Sequence, residues 1–567
     1  MKKPAVIVFV IIAACLSLFA SGPKIINLDD PIYGMMDRLY LSCGLAAPSG
    51  ARPWSQGHAR IILSRIEESS LDDVQKTLFR NLEHKLEADN AQSFVSAGLT
   101  VSPEMYYHSN GEDFNLENDW VNGFTQRSPF ATAKLELGIA DAIYLYCDLS
   151  YGWGNVTYKD AVKPLNEMTD NWIGAGALIP VSDGDSLTVS SSYVYSKDFL
   201  MNFPEIAMIE INVPRRAVLS TGGNVWNLSF SRDRISWGSS SIGNFILDDH
   251  VPYQEYIRFN GFSDKLTMDF VCMFMDTDTN TGNSSTFSGK NQYYLLHRFG
   301  FRILPALSLA VSENVMYRPD TAELRFFNPA YIYHQINNSE VFNAIASIEL
   351  DAALAKGVRV YAQFCLDQAQ APTESGYQPD AWGILGGVTI QRTAGAGLLS
   401  FNAEYEYATP CLYRRGKVDF LMFQKWNTNV TYQRPLVLGY IGFPYGGDNQ
   451  VFQISADFST PAGFESSLYV RGIRKGTIDF YAPVNEEANN DAQPSIKGST
   501  PYGDRFFDTL ILGTKQSKTF ENFLNFAVLS VYAKADCIWT RTVVKEPKHV
   551  LESAFDFQLS LGSSISI

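Results

Sequence analysis

The sequence has little of what identifies enzymes and nucleic-acid-binding proteins. Only 19% of its 567 residues are charged, and no basic tract offsets the formal net charge of −15. This acidic balance excludes general nucleic-acid binding. The seven His residues lie far apart and form neither HxH nor HExxH, so no metal site is expected. With no GxSxG nucleophile motif either, we expect neither catalysis nor a cofactor.

Long apolar runs are also missing after the N-terminus. No later segment has 18 uninterrupted apolar residues, so we expect no helix to cross an inner membrane. The N-terminal stretch MKKPAVIVFVIIAACLSLFASG combines two lysines, an apolar run and small residues, which is typical of a secretion signal over residues 1–22. We expect cleavage between Ala20 and Gly22. In the alternative interpretation, IAAC is a lipoprotein acceptor site ending at Cys15.

Closely spaced cysteine pairs are absent as well. Six cysteines follow the signal, scattered and without CxxC: Cys43, Cys147, Cys272, Cys365, Cys411 and Cys537. An even number permits disulfides in an oxidising compartment. Cys147 and Cys272 fall on the apolar faces of alternating segments, which favours free thiols acting as small hydrophobic side chains.

Residues 23–90 are predicted to form a small helical module. DDPIYGMMDRLYLSCG and GHARIILSRIEES each have apolar residues at helical spacing. The clearest helix is SSLDDVQKTLFRNLEHKLEADN, where we expect Ser70 to be the N-cap and Asp73 to complete a capping box. Its apolar stripe consists of Leu71, Val74, Leu78, Leu82 and Leu86. Another part of the protein must cover this stripe.

From residue 91 to residue 567 the hydrophobic period changes from 3.6 to 2. In LLSFNAEYEYAT (398–409) an apolar set beginning at Leu399 alternates with a polar set that includes Glu404 and Glu406. The C-terminal stretch AFDFQLSLGSSISI follows the same pattern. Aromatics make up 13% of the chain, and 41 Gly and 25 Pro supply many turns. The composition and period together indicate a mainly β protein.

Two β architectures fit strands with one apolar and one polar face. In a soluble sandwich or propeller the apolar faces pack together, whereas in a transmembrane barrel they contact lipid and the polar faces line the lumen. Aromatic residues near strand ends and charged polar faces favour the barrel. At roughly 26 residues per strand and connection, residues 91–567 predict about 18 strands. The polar stretches 276–292 and 485–504 are expected to be surface loops.

Two weaker motifs are better explained structurally. The run from Asp276 has the spacing of a calcium loop only in part, because Gly282 and Phe287 break the pattern. Glu404 and Glu406 are two residues apart on one strand face, about 7 Å from each other, as in a pair of glycosidase carboxylates. Lining the lumen is the favoured interpretation of this pair.

Two blocks in the middle of the chain carry a family resemblance. The first contains RDRISWG (232–238) and ILDDHVPYQEYIRF (246–259). The second contains LHRFGFR (296–302), SEN (312–314) and RFFNP (325–329), followed by VYAQFCLDQ (360–368). With DRLYLSCGLAAPSGARPWS (37–55), these pieces resemble in their order the Wzi-like capsule assembly family of outer-membrane proteins.

The resemblance implies a transmembrane antiparallel barrel of about 18 strands with a helical bundle at its periplasmic end. It also implies a non-enzymatic, lectin-like role in which a monomer in outer-membrane lipid holds capsular or other exopolysaccharide at the cell surface. Aromatic faces next to planar hydrogen-bonding groups suit sugars. The candidate glycan-binding residues are Arg232, Arg234, Trp237, Arg298 and Asn328. In the competing structural interpretation, the arginines brace the lumen and Asn328 turns the chain.

Two other functions stay open from the sequence. The same barrel without a plug would be a channel for small solutes or oligosaccharides, and a secreted soluble β protein would need no detergent. One feature departs from the family role, because a surface that binds an acidic glycan should be basic, whereas this chain is acidic.

Overall fold

The computed structural model describes residues 22–88, 93–114, 119–123, 126–151, 173, 179–180, 199–202, 214–251, 253–275, 292–319, 321–333, 341–369, 379–414, 418–429, 432–478, 496 and 498–567. The Cys15 acceptor site, the motif from Asp276 and the expected signal sequence before Gly22 lie outside these residues. Most of the two expected polar loops, 276–292 and 485–504, lies outside them as well.

The predicted helices form a compact module near the N-terminus. They are α1 (Ile32–Cys43), α2 (Gln56–Leu63) and α3 (Asp73–Ala88), with a 3₁₀ turn at Glu68–Ser70. Their apolar stripes share one buried cluster that includes Met36, Leu39, Ile62 and Leu82. Within the described part of the chain, no helix is long and apolar enough to cross a membrane.

The N-cap of α3 differs from the predicted one. The Asp72 carboxylate accepts a hydrogen bond from Gln75 N (2.9 Å), and the Gln75 side chain accepts one from Asp72 N (3.1 Å). This is a reciprocal capping box displaced by two residues from Ser70. Ser70 instead ends the 3₁₀ turn and donates to the Glu67 carbonyl (2.8 Å). The expectation for Ser70 and Asp73 was therefore wrong, because the intervening turn delays the start of the helix.

Eighteen antiparallel strands within the described residues close into a barrel, which confirms the predicted fold class and strand number. In chain order they are β1 (Ser93–Val101, continued by Glu104–His108), β2 (Ala131–Ile139), β3 (Ile143–Tyr151), β4 (Ala217–Gly223), β5 (Trp226–Asp233), β6 (Gln254–Phe262), β7 (Leu266–Met275), β8 (Gln292–Leu304), β9 (Leu307–Tyr317), β10 (Phe342–Ala355), β11 (Val358–Gln368), β12 (Ala381–Ala394), β13 (Gly397–Ala408), β14 (Asn449–Ser459), β15 (Phe464–Lys475), β16 (Arg505–Phe523), β17 (Ala527–Val544) and β18 (His549–Ser566).

Shorter elements accompany the barrel. Phe199–Met201 pairs with the second half of β1, and Ala51–Arg52 pairs with Ser236–Trp237. A separate sheet of three strands contains Leu421–Asn429, Tyr432–Tyr440 and Ile179–Pro180. Leu324–Phe327 is a 3₁₀ turn between β9 and β10.

The barrel closes where its last strand meets its first. Val101 is the register partner of Ile565, and His108 is the partner of Gln558, so the two halves of β1 follow one continuous register along β18. Asp556 and Gln558 are buried, whereas Phe555 is exposed. The alternating C-terminal stretch is therefore the closing strand, as its period predicted.

The faces of the strands have the polarity of a transmembrane barrel. On β13, Phe401 and Tyr405 are 46% and 50% exposed, whereas Glu404 and Glu406 are 4% and 0% exposed. A soluble β protein would show the opposite, with apolar side chains buried and carboxylates in water. The outward apolar face is the surface that lipid covers in transmembrane barrels.

The two ends of the barrel differ in their connections. At one end, here called the turn end, eight strand pairs are joined by two to four residues. The opposite, loop end carries most of the long connections. The helical module sits against the turn end, where Leu41 O accepts from Gly357 N (2.8 Å) and Ala46 N donates to Pro305 O (3.0 Å). The apolar stripes of the module are buried mainly against one another, and Leu398 of β13 joins their cluster from the barrel.

Candidate functional site

Two segments of the chain enter the lumen of the barrel, one from each end. Residues 44–55, here called the connector, join α1 to α2 and project into the lumen from the turn end. The connector bonds the inward face of β6, since Arg258 donates to Ala51 O (3.3 Å) and also to Pro53 O. On β10, Asp351 accepts from Ala47 N (2.7 Å). Inward polar side chains of the strands therefore hold the connector.

From the loop end, residues 234–251 fold inward between β5 and β6. This segment is here called the inner loop, and its apolar side chains are buried: Ile235, Trp237, Ile242, Phe245, Ile246, Leu247 and Val251. A second segment, residues 440–448, packs against it, with the rings of Phe245 and Phe443 5.6 Å apart. Tyr413 donates to Phe245 O (2.6 Å) and fixes the contact.

Polar side chains of the barrel wall anchor the inner loop. Gln363 donates to Asn244 Oδ1 (2.6 Å), and Asn244 Nδ2 donates to Asp248 (3.2 Å). Glu404 accepts from Ser241 N (2.9 Å) and from the Ser241 hydroxyl. The lumen-lining interpretation of Glu404 therefore agrees with its position, because this carboxylate binds a loop inside the barrel.

The inner loop and the connector meet as a short antiparallel ribbon. Ala51 is the register partner of Trp237, and Gly238 N donates to Gly50 O (3.1 Å). Gly238 has φ +132°, and a Cβ there would lie 2.0 Å from Asn244 Oδ1. Only glycine fits this position, which explains the glycine of the RDRISWG stretch physically. The connector and the inner loop together are called the plug below.

The structure separates Arg232 from Arg234. Arg232 is on the outward face of β5, where it pairs with its cross-strand partner Glu255 and stacks 3.5 Å from the Tyr253 ring centre. Arg234, two residues later, lies in the lumen and pairs with Asp29. Desolvation inside the lumen would by itself raise the pKa of Asp29, but the charge and hydrogen bond of Arg234 lower it.

Trp237 and Arg298 also lie inside the barrel. Trp237 is buried in the plug and belongs to its apolar cluster. Arg298 makes a bidentate pair with Glu349, from Nε to Oε1 (2.8 Å) and from Nη2 to Oε2 (2.9 Å). Its guanidinium lies beside the connector, where a Cβ added to Gly50 would be 3.3 Å from Nη2. Both residues support the plug.

Asn328 lies apart from the other candidates on the outer wall. It is exposed and follows the 3₁₀ turn Leu324–Phe327, where its side chain accepts from Ala330 N (3.0 Å). This connection folds over the outward face of β8 and β9, where Tyr333 stacks on His297 with ring centres 4.6 Å apart. The five candidates therefore do not form one site.

A cavity that the sequence did not reveal lies next to Arg234. Its volume is about 630 Å³, and it is lined by the inward faces of β1 to β3 and by chain preceding β2 and β4. Arg127, Lys134, Arg215 and Arg216 line it together with Arg234. In the sequence, the adjacent arginines Arg215 and Arg216, directly before a strand, could have indicated this basic lining. Nothing in the sequence pointed to Arg127 and Lys134, because only the folding of the barrel brings them close to the other three cations.

Fold and lumen together define the class of protein: a plugged antiparallel β-barrel of the transmembrane type. Among solved structures, the chain is similar to Wzi of Escherichia coli, described as an outer-membrane protein involved in group 1 capsule assembly and a carbohydrate-binding β-barrel. The match has a TM-score of 0.54 and 11% identity and covers 96% of this chain and 99% of Wzi. The resemblance seen in the sequence is therefore confirmed at the level of the fold.

Other solved barrels match less well. OccK3 of Pseudomonas aeruginosa has a TM-score of 0.38 and 9% identity, with 83% of this chain and 95% of that chain covered. OccK1 of the same organism has a TM-score of 0.38 and 11% identity, with 83% and 98% covered. No protein-family model matches the sequence, and no curated protein matches it significantly.

Proposed function

We propose that this chain is a non-enzymatic outer-membrane protein that binds and anchors capsular or other exopolysaccharide at the cell surface. The observation that carries the proposal is the plug. The connector and the inner loop occupy the lumen beside the cavity next to Arg234 with buried apolar side chains and hydrogen-bonded polar ones. Such packing suits a rigid scaffold that presents a binding surface, and it opposes free passage of solutes.

The placement in the envelope follows from the barrel itself. Lipid would cover the outward apolar face, and the turn end would face the periplasm, since outer-membrane barrels have short periplasmic turns. The helical module, predicted as residues 23–90, would then sit at the periplasmic mouth of a monomer. Residues 1–22 would direct export as a signal sequence.

The similarity to Wzi supports the polysaccharide role, because that protein shares the fold over nearly its whole length and is described as carbohydrate-binding. The five candidate residues then divide into three groups. Asn328 and Arg232, on the outer wall, would contact surface glycan directly. Trp237 and Arg298 would position the plug, and Arg234 belongs to the cavity described above.

The test of this function is the partition of surface polysaccharide between cells and medium in a strain lacking the protein. We expect polymer made in normal amount but shed into the medium. The intact gene supplied in trans should restore attachment. Polymer that stays bound to the cells without the protein would overturn the proposal.

The channel alternative is decided by planar-bilayer conductance of the purified full-length barrel. A plugged scaffold should give no steady conductance steps, whereas a channel should give reproducible ones. Steady conductance together with cell-bound polymer in the deletion strain would favour the channel.

A further inference from the structure

The cavity beside Arg234 is called the chamber below. It lies inside the barrel, next to the N-terminal segment 22–29. This segment starts at the turn end, where Gly22 N donates to Asp141 (3.2 Å), and it continues along the inner wall to Asp29. Asn27 and Asp29 line the chamber on that side. A volume of about 630 Å³ lies within the range of about 300–1,000 Å³ typical of ligand pockets.

Cations converge on the chamber although the chain as a whole is strongly acidic. Five cationic side chains line it: Arg127, Lys134, Arg215, Arg216 and Arg234. They come from β2 and from connections that are far apart in sequence, so the fold brings them together. The formal charge of −15 therefore conceals a local concentration of guanidinium groups.

Two of these arginines are held rigidly. Arg216 donates to Asp233 (2.8 Å) and to Ile25 O (2.8 Å), and its guanidinium lies 4.5 Å from the Tyr146 ring centre. Arg127 donates to Asn122 O (3.1 Å) and lies over the rings of Tyr106 and Trp120. Arginines fixed in this way lose little further entropy when they bind a ligand.

Three of the four acidic residues of the chamber are already engaged. Asp233 pairs with Arg216, Asp29 pairs with Arg234, and Asp148 accepts from Arg216 N (3.0 Å). The fourth, Asp249, is half-buried next to Asp248, and desolvation and the charge of that neighbour raise its pKa. With five cations against four carboxyl groups, the lining has an excess of positive charge.

Arg215 is the cation most affected by this excess. It precedes β4 and donates to Arg127 O (3.3 Å). Burial and the positive charge of Arg234 lower the pKa of Arg215 to about 10. A bound anion would offset both effects, because it would place a negative charge among the guanidinium groups.

We propose that the chamber binds the anionic group of an acidic saccharide, a carboxylate, sulfate or phosphate, through Arg215 and Arg127. Planar guanidinium forks match such groups in bidentate geometry. The inference rests on the proposed function and deepens it, because it specifies the glycan class as acidic. It also accounts for an acidic chain serving an acidic polymer, since the cations are concentrated where the ligand binds.

The experiment measures binding to the purified full-length protein in detergent by titration calorimetry. The probes are an oligogalacturonate, a maltooligosaccharide of equal length as its neutral counterpart, and inorganic phosphate. We expect the oligogalacturonate to bind, to weaken as salt rises, and not to be displaced by the maltooligosaccharide. Phosphate binding alone, without oligogalacturonate binding, would overturn the saccharide assignment.

Substitutions at Arg215 test its role in binding the oligogalacturonate. Arg215→Gln should weaken oligogalacturonate binding about tenfold or more, whereas Arg215→Lys, which keeps the charge, should lose less. Arg80→Gln, on the exposed face of α3, is the matched control and should bind like the wild type. Equal binding of acidic and neutral probes by the wild type would overturn the proposal even if a variant fails to fold.

The cellular readout separates the two proposals. If the deletion strain sheds polymer but the strain with Arg215→Gln retains it, the chamber proposal fails and the attachment function stands. If the deletion strain retains polymer while the purified protein binds oligogalacturonate through Arg215, the attachment function fails and the chamber stands.

Discussion

Ala51 and Trp237 are register partners in a two-residue antiparallel ribbon inside the barrel, although 186 positions separate them in the sequence. Ala51 arrives from the turn end with the helical module, and Trp237 arrives from the loop end with the inner loop. The ribbon therefore joins the two mouths of the barrel through one hydrogen-bonded plug. Any displacement of the module would pull on the inner loop.

Gly238→Ala should open this plug. The substitution places a Cβ 2.0 Å from Asn244 Oδ1 and 2.4 Å from Gln363 Nε2 at φ +132°, so the inner loop must move away from the connector. We expect conductance steps in planar bilayers and faster proteolysis of the inner loop. Gly386→Ala is the control, because the nearest atom to its Cβ would be Tyr361 O at 3.8 Å. If the Gly238→Ala barrel gives no conductance steps and no faster proteolysis, the inner loop accommodates the added methyl group, which would contradict a rigid plug.

The wall and the module were predictable because their signals are local. Alternation along β13 separates Phe401 from Glu404, and the leucine stripe of α3 shows its buried face. Even these signals miss small irregularities, such as the 3₁₀ turn that moves the cap from Ser70 to Asp72.

The plug and the chamber were not predictable in the same way. The inner loop has no hydrophobic period, and its partners on β11 and β13 are more than 100 residues away. Parity along a strand decides that Arg232 points outward, whereas Arg234 follows the strand end and turns inward. A side chain at such a position depends on long-range packing that spacing in one sequence does not encode.

Arg298→Gln should destabilise the barrel more than a substitution that breaks an exposed ion pair. Arg298 is buried with Glu349, so its removal leaves a carboxylate without its counter-ion, at a cost of about 3–5 kcal/mol. Arg80→Gln breaks an exposed pair with Glu68 and should cost about 1 kcal/mol or less. The measurement is the midpoint of the heat-induced gel-mobility shift. Adding Glu349→Gln to Arg298→Gln should recover part of the loss, and equal midpoints for both single variants would contradict the bracing role.

Asp72→Ala should weaken the start of α3, whereas Ser70→Ala should have little effect. Asp72 accepts from Gln75 N and also from the Thr393 hydroxyl on β12, so its loss removes the cap and a bond to the barrel, about 1–2 kcal/mol. The Ser70 hydroxyl donates to Glu67 O within its own turn instead of accepting from an amide of α3. Hydrogen exchange of α3 amides is the measurement. Faster exchange in Ser70→Ala than in Asp72→Ala would restore the original cap assignment.

His58→Gln should remove a pH dependence from the module. His58 is buried on α2 and stacks on Phe262 of β6 with ring centres 4.5 Å apart. Burial lowers its pKa well below the ordinary value, and the charges of Arg65 and Arg258 lower it further. The unfolded chain therefore takes up the proton first, so the stability from neutral His58 is complete above about pH 6.5 and decreases as the pH falls below it.

The wild-type thermal midpoint in detergent should accordingly fall between pH 7.5 and pH 5.0, a range in which most carboxylates stay ionised. The His58→Gln barrel should start from a lower midpoint but lose less of it across this range. His549→Gln, at an exposed histidine that starts β18, should follow the wild type. An identical decrease in wild type and His58→Gln would show that other groups control the acid sensitivity. A smaller decrease in the variant would identify docking of α2 against β6 as the acid-sensitive contact between module and barrel.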